Sequence, residues 1–147
     1  MRLDKFISSQ TSLSRSDVKK LIKHGAVTVD KAVAASCDMQ IFPETSEIVV
    51  DGQALSYKKY VYYMLNKPKG VVSATDDKMH KTVLDLVPDN LKRPGLFPAG
   101  RLDADTTGFV LLTDDGDFAH RILSPKNHIE KTYIAMLEKT LTEEDIS

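Results

Sequence analysis

The sequence predicts an α+β fold in which a small helical head precedes a strand-rich body. Three observations carry that reading. Helix-period apolar positions are concentrated in the first 25 residues, alternating or continuous apolar runs bounded by Gly, Pro and Asp follow them, and the charge changes sign between the two parts. Residues 1–25 hold six basic side chains (Arg2, Lys5, Arg15, Lys19, Lys20, Lys23) against Asp4 and Asp17, a net +4, so the formal −1 of the whole chain leaves −5 for residues 26–147. Such asymmetry suggests a basic head that meets an anionic partner, joined to a body with another task.

The elements follow in order. R-L-D-K-F-I puts Leu3, Phe6 and Ile7 on one face and predicts a first helix. In L-S-R-S-D-V-K-K-L-I-K-H-G, Ser14 is an N-cap with Asp17 three residues on, and Gly25 supplies the stop. Val18, Leu21 and Ile22 form the apolar stripe on which the first helix packs, while Lys19, Lys20 and Lys23 point elsewhere and Arg15 stands at the entrance. A-V-T-V-D then alternates as a strand, and I-V-V-D-G gives a second strand and its turn. Residues 1–55 form this head. Q-A-L-S-Y-K-K is polar and reads as connection, with the linker placed at 56–60 and the second unit at 61–147.

In that second unit the aromatic run 60–65 reads as a strand, Asn66–Gly70 as a turn set by Pro68, and Val71–Ala74 as the returning strand of a hairpin. Lys67 and Lys69 would sit at its tip, where phosphate contact is open to them. H-K-T-V-L-D-L-V-P predicts a short helix ended at Pro88, P-G-L-F-P-A-G is irregular, and F-V-L-L-T is a buried strand. Asp114, Asp115 and Asp117 suit a turn and the N-terminus of a short helix carrying His120 and Arg121, residues that fit structure or phosphate contact better than catalysis. His128 has no visible acid–base partner.

Composition narrows the class. A 41% hydrophobic content can bury a core and 28% charged residues keep the surface wet. No apolar stretch approaches the roughly 20 residues that span a bilayer, and M-R-L-D-K-F lacks the apolar region of a signal peptide, so no membrane and a cytoplasmic location are expected. The one cysteine, Cys37, has no internal disulfide partner and no metal-ligand spacing, and reads as a small packed residue.

The most informative stretch is A-G-R-L-D-A-D-T-T-G, residues 99–108. Three readings compete: a solvated turn, a calcium loop, or an aspartate held for catalysis at a strand entrance. Asp103, Asp105, Thr107, Gly108, Val110 and Asp114 match an EF-hand loop in spacing. Against it, the Pro- and Gly-rich approach cannot form the entering helix, Leu111 offers no oxygen at the ninth position, and Asp114 is shorter than the bidentate glutamate required. No metal is expected. A solvated turn explains the glycines but not Arg101 and Asp103 flanking Leu102, since in extended backbone those two project to one side. An aspartate beside a cation in a water-poor cleft could remain ionised and act as a nucleophile.

Two resemblances sharpen these readings. The order R-L-D-K-F-I, S-R-S-D-V-K-K-L-I-K-H-G-A-V-T-V-D, I-V-V-D-G resembles the S4 RNA-binding module over residues 1 to about 52, with Asp30 where that family commonly has asparagine before a turn. The resemblance implies that Arg2, Arg15, Lys19, Lys20 and Lys23 meet RNA phosphates, a contact that neutralises charge without reading sequence. G-R-L-D-A-D-T-T-G-F-V-L-L-T-D-D-G, with N-K-P-K-G upstream and E-K-T-Y downstream, resembles the RsuA-type pseudouridine synthases of small-subunit (16S) ribosomal RNA. What this implies is isomerisation of one uridine to pseudouridine, with Asp103 the essential carboxylate and no metal, nucleotide or redox cofactor. Arg101 would fill the space of a flipped base or hold its phosphate, Tyr133 would pack on the flipped ring, and Lys131 would contact phosphate. The implied fold is an S4-like head and a mixed, mainly antiparallel catalytic sheet.

The implied partner is small-subunit ribosomal RNA or a ribosome assembly intermediate, and a monomer is expected. Since the resembled catalytic domain extends further, the chain reads as C-terminally truncated. Its alternatives are therefore a non-catalytic rRNA-binding fragment and a related synthase of large-subunit rRNA.

Overall fold

The computed structural model describes residues 1–127, 129–140, 142 and 145. Its first helices are α1 (Leu3–Gln10) and α2 (Arg15–Lys23), packed through the stripes expected of them: Leu3, Phe6 and Ile7 are buried against Val18 and Ile22. Each such side chain withdrawn from water contributes about 1.5–3 kcal/mol. Ser14 Oγ accepts the Asp17 amide at 3.2 Å and caps α2. At the other end Gly25 takes φ +74° while the Ala26 amide reaches back to the Leu21 carbonyl, closing the last turn.

Four short strands complete the head: β1 (Val27–Val29), β2 (Ala32–Val33), β3 (Ile48–Val50) and β4 (Gln53–Leu55), antiparallel in the order β2-β1-β3-β4. Both hairpin turns have two central residues of positive φ, Asp30–Lys31 and Asp51–Gly52, the geometry that matches strand twist in a two-residue loop. Asp30 fits here without asparagine because its Oδ1 also accepts the Glu47 amide at 2.8 Å. Gln53–Leu55, part of the polar stretch expected to connect the two units, is a sheet strand instead.

The body contains β5 (Tyr62–Lys67), β6 (Phe97–Ala99), β7 (Gly108–Thr113) and α3 (Gly116–Leu123), with short 3-10 turns at Val83–Leu86, Asp89–Leu91 and Pro125–Asn127. Its sheet order is β5-β7-β6, all antiparallel, and β5 and β7 pair over six residues from Tyr62↔Thr113 to Lys67↔Gly108. The expected hairpin between the aromatic run and Val71–Ala74 does not form. The apolar run 109–112 supplies a longer in-register partner that buries Val110 and Leu112, whereas Val72 only bridges Thr82 and turns Val71 into the core. Phe97–Ala99, read as irregular, is an edge strand, a position that tolerates Pro98. Nor is F-V-L-L-T covered on both sides: Phe109 is 64% exposed and Met64, on the same face of β5, 84%.

The corner after β7 is the best-satisfied part of the body. Thr113 Oγ donates to the Val61 carbonyl at 2.6 Å and accepts the Asp115 amide. Asp115 caps α3 through the Phe118 amide and accepts the Tyr62 hydroxyl, a bond that pushes this phenol up to about 12.

The head has its own electrostatic anchor. Arg2 donates to both oxygens of the buried Asp4 at 3.1 and 3.0 Å, and that bond is the first reason the Asp4 carboxyl lies below its ordinary value. A lowered folded-state value means that the contribution is present above about pH 4 and is lost as pH falls through the folded value. Asp4→Asn should therefore destabilise the chain at neutral pH by about 1–2 kcal/mol, with the gap to wild type closing in acid. Urea melts at pH 7 and pH 3 measure this, and a gap that persists at pH 3 would assign it to packing rather than charge.

Candidate active site

Gly100 and Gly108 bound the A-G-R-L-D-A-D-T-T-G stretch at φ +109° and +136°, backbone states that side-chain-bearing residues avoid. Between them the chain leaves β6, passes Arg101, Leu102 and Asp103, turns, and enters β7. Leu102 packs against the body's core and, with Arg101, Asp103, Ala104, Val72, Ser73 and Ala74, lines an open cleft of about 500 Å³. Arg101 and Asp103 thus border one cleft.

Four sets of hydrogen bonds fix this backbone. The Thr106 amide donates to the Asp103 carbonyl at 3.1 Å, closing the turn. The Gly70 amide donates to the Ala104 carbonyl at 2.7 Å. The buried Ser73 hydroxyl donates to the Leu102 carbonyl at 2.9 Å and accepts the Leu102 amide at 3.1 Å, clasping the residue that precedes the aspartate. Under the turn, Lys67 Nζ donates to the carbonyls of Thr106 (2.7 Å), Pro68 (3.1 Å) and Ala104 (3.3 Å). Three ammonium hydrogens meet three carbonyl oxygens, which is how a lysine with no exposed surface becomes tolerable.

This corrects the reading of Lys67 as an RNA contact. It points inward because β5 delivers it beneath the turn rather than to a hairpin tip, and only Lys69 stays exposed there. Asp103 also differs from expectation, since it is exposed on an open cleft rather than held in a water-poor one. Its carboxylate has no hydrogen bond or ion pair among the described residues, so it is presented free on a fixed backbone. Asp114, counted as a calcium ligand in the loop pattern, is occupied otherwise: it accepts the Val61 amide and pairs with Arg93 at 2.9 Å.

The remaining candidates divide in two. Arg15, Lys19 and Lys23 are exposed around α2, Lys20 is exposed and pairs with Asp17 at 3.2 Å, and Arg2 is engaged with Asp4. Lys131 and Tyr133 do not line the cleft; both are exposed, Tyr133 by 84%, on a stretch without helix or strand. His128 lies outside the described residues. Ser73 and the structural use of Lys67 carry no local signal, because all their partners except the Pro68 carbonyl stand 29 to 39 residues away.

Both units of the chain are similar to known proteins. The family model described as RNA pseudouridylate synthase matches residues 61–147, and the S4 domain model matches residues 1–36. "Uncharacterized RNA pseudouridine synthase YtzG" of Bacillus subtilis (strain 168) is 47% identical over 147 residues, 100% of this chain and 62% of the relative. "Uncharacterized RNA pseudouridine synthase" of Aquifex aeolicus (strain VF5) is 41% identical over 99% of this chain and 61% of its own length. "Ribosomal small subunit pseudouridine synthase A" of Escherichia coli (strain K12) is 43% identical over 98% of this chain and 62% of its own length. The chain therefore spans somewhat less than two thirds of these relatives.

Replacing Lys67 by methionine keeps the aliphatic volume and removes the donor to three carbonyls. We expect a loss of roughly 2–4 kcal/mol, at about 1 kcal/mol per hydrogen bond, with faster amide exchange at Thr106 and Gly70. Unchanged denaturant midpoint and unchanged exchange would show that the ammonium does not hold the turn.

Proposed function

The chain belongs to the RNA pseudouridylate synthase family and carries an S4 domain at its head, and from that premise we propose that the whole protein isomerises a uridine of small-subunit ribosomal RNA to pseudouridine with Asp103 as its catalytic carboxylate. The observation that carries the proposal is the exposed Asp103 carboxylate on the cleft, beside Arg101 and without a partner among the described residues, with the backbone on both sides tied down.

The reaction is an isomerisation. The bond from ribose C1′ to base N1 breaks, a bond from C1′ to C5 forms, and the proton of C5 is replaced by one on N1, so no electron donor, acceptor or water is consumed. A carboxylate can assist by adding to the sugar, adding to the base, or taking a ribose proton, and each route needs the uridine out of its stack. In the proposed roles Arg101 holds the neighbouring phosphate or fills the space of the flipped base, Tyr133 packs on the flipped ring, and Lys131 meets phosphate. Arg15, Lys19, Lys20, Lys23 and Lys69 dock the folded RNA, with the arrangement of exposed cations around α2 supporting that assignment. The substrate preference rests on the 43% identity to the small-subunit enzyme of Escherichia coli.

Asp103→Asn keeps shape and turn propensity while removing the negative charge, so RNA binding should survive and pseudouridine formation should fall at least about a thousandfold. Asp105→Asn is the matched control and should retain most turnover. Substantial pseudouridine formation by Asp103→Asn, measured by chromatographic separation of the nucleosides of digested 16S rRNA, would remove Asp103 from the chemistry.

For the head, Arg15→Ala, Lys19→Ala and Lys20→Ala combined should weaken rRNA binding and reduce the slope of log affinity against log salt by about one unit per lost phosphate contact. An unchanged titration would remove α2 from the RNA interface.

A further inference from the structure

The basic face of α2 and the Asp103 cleft belong to different units, and no element of the head packs extensively on an element of the body. A polar cluster ties them. Gln10, the last residue of α1, accepts the Lys58 amide at 2.9 Å through Oε1, and the same oxygen lies 3.5 Å from Arg93 Nη1. Arg93 Nη1 donates to the Lys58 carbonyl at 3.0 Å, Nη2 reaches the Lys59 carbonyl at 3.5 Å, and Nη2 pairs with Asp114 at 2.9 Å. Both side chains of that ion pair are only 8% exposed.

Asp114 in turn accepts the Val61 amide and directly follows β7, the strand whose other end carries the Asp103 turn. Arg93 Nε is buried with no partner among the described residues, so the guanidinium stays here on the strength of its other four contacts. A buried arginine that meets the side chain of the last α1 residue, two linker carbonyls and a carboxylate at once is a joint between units, since each contact alone could be met by a smaller or exposed group.

Resting on the function proposed above, we propose that Arg93, with Gln10 and Asp114, is a positioning device that sets the orientation of the RNA-docking head relative to the Asp103 cleft and thereby determines which uridine of a docked RNA reaches it. Arg93 touches no reacting atom. Its effect is geometric: RNA held by α2 enters the cleft only when the two units keep one mutual orientation, and a loosened joint spreads the target over positions that do not react.

The test uses the full chain with Cys37→Ser and spin labels at Glu44→Cys on the head and Asp117→Cys on α3, read as an electron–electron distance distribution. Wild type should give one narrow distribution. Gln10→Ala, which cuts the joint on the head side and leaves the ion pair intact, should broaden it, as should Arg93→Gln; Gln10→Glu, which places a carboxylate against the guanidinium, should keep it narrow. In the whole protein, Gln10→Ala should lower the initial rate of pseudouridine formation on small-subunit rRNA about tenfold, and leave unchanged the rate on a short hairpin too small to span head and cleft. A general loss of folding would lower both rates together.

Narrow distributions in both Gln10→Ala and Arg93→Gln would overturn the joint. A broadened distribution with an unchanged rate on rRNA would overturn its role in positioning. If the wild-type protein forms no pseudouridine on either RNA, the proposed function fails along with the positioning role, while the distances still decide whether Arg93 holds the two units together.

Discussion

A buried ammonium under a turn is the constraint on which the rest of the site depends. Lys67 arrives at the end of β5 and spends all three donors on carbonyls of Pro68, Ala104 and Thr106. Without them the loop between Gly100 and Gly108 would have to satisfy those carbonyls with water, and the residues between would gain freedom. Because the bonds are to backbone, the carboxylate of Asp103 is left without a partner among the described residues. An ion pair to the same carboxylate would steady it as well, but would compete with any substrate for its lone pairs. The Ser73 clasp on Leu102 acts alike, fixing the chain one residue before the aspartate through its amide and carbonyl rather than through its side chain.

That preference for holding backbone and freeing side chains recurs in the head. The apolar faces of α1 and α2 carry the packing, and Arg15, Lys19 and Lys23 stay exposed. The strongly engaged charges are elsewhere: Asp4 with Arg2 near the N-terminus, Asp114 with Arg93 in the body. A helix stripe, a short sheet and a polar joint are enough to present a cationic surface and a carboxylate cleft on one chain. The chain belongs to the RNA pseudouridylate synthase family and carries an S4 domain, and the proposed division puts RNA docking on one surface and base chemistry on the other.

How much of this the residues declare depends on the range of the interaction. Ser14, Asp17, Gly25 and the alternation of Val27–Val29 are decided by neighbours within four positions, and head elements are therefore legible from sequence. That Arg101 and Asp103 border one cleft is equally local, since they stand two residues apart in the chain. The hairpin at Asn66–Gly70 was misread because turn chemistry is local whereas strand pairing is not: β5 finds β7 more than 40 residues on, across the whole cleft-forming loop. The same error concealed Lys67, which looks like a surface cation beside Lys69 until the pairing of β5 is known. Arg93 was invisible for the same reason, its partners being the end of α1, the linker and the residue after β7.

Turnover by Lys67→Met in the whole protein tests the central claim most directly, because it leaves Asp103 in place and removes only what holds its turn. At a temperature where circular dichroism shows the variant folded and a filter assay shows small-subunit rRNA bound as tightly as by wild type, pseudouridine formation should fall by a factor of about a hundred, the scale on which a misplaced catalytic group loses rate. Wild-type turnover under those conditions would contradict the account, since it would mean that the aspartate needs no clamp beneath it.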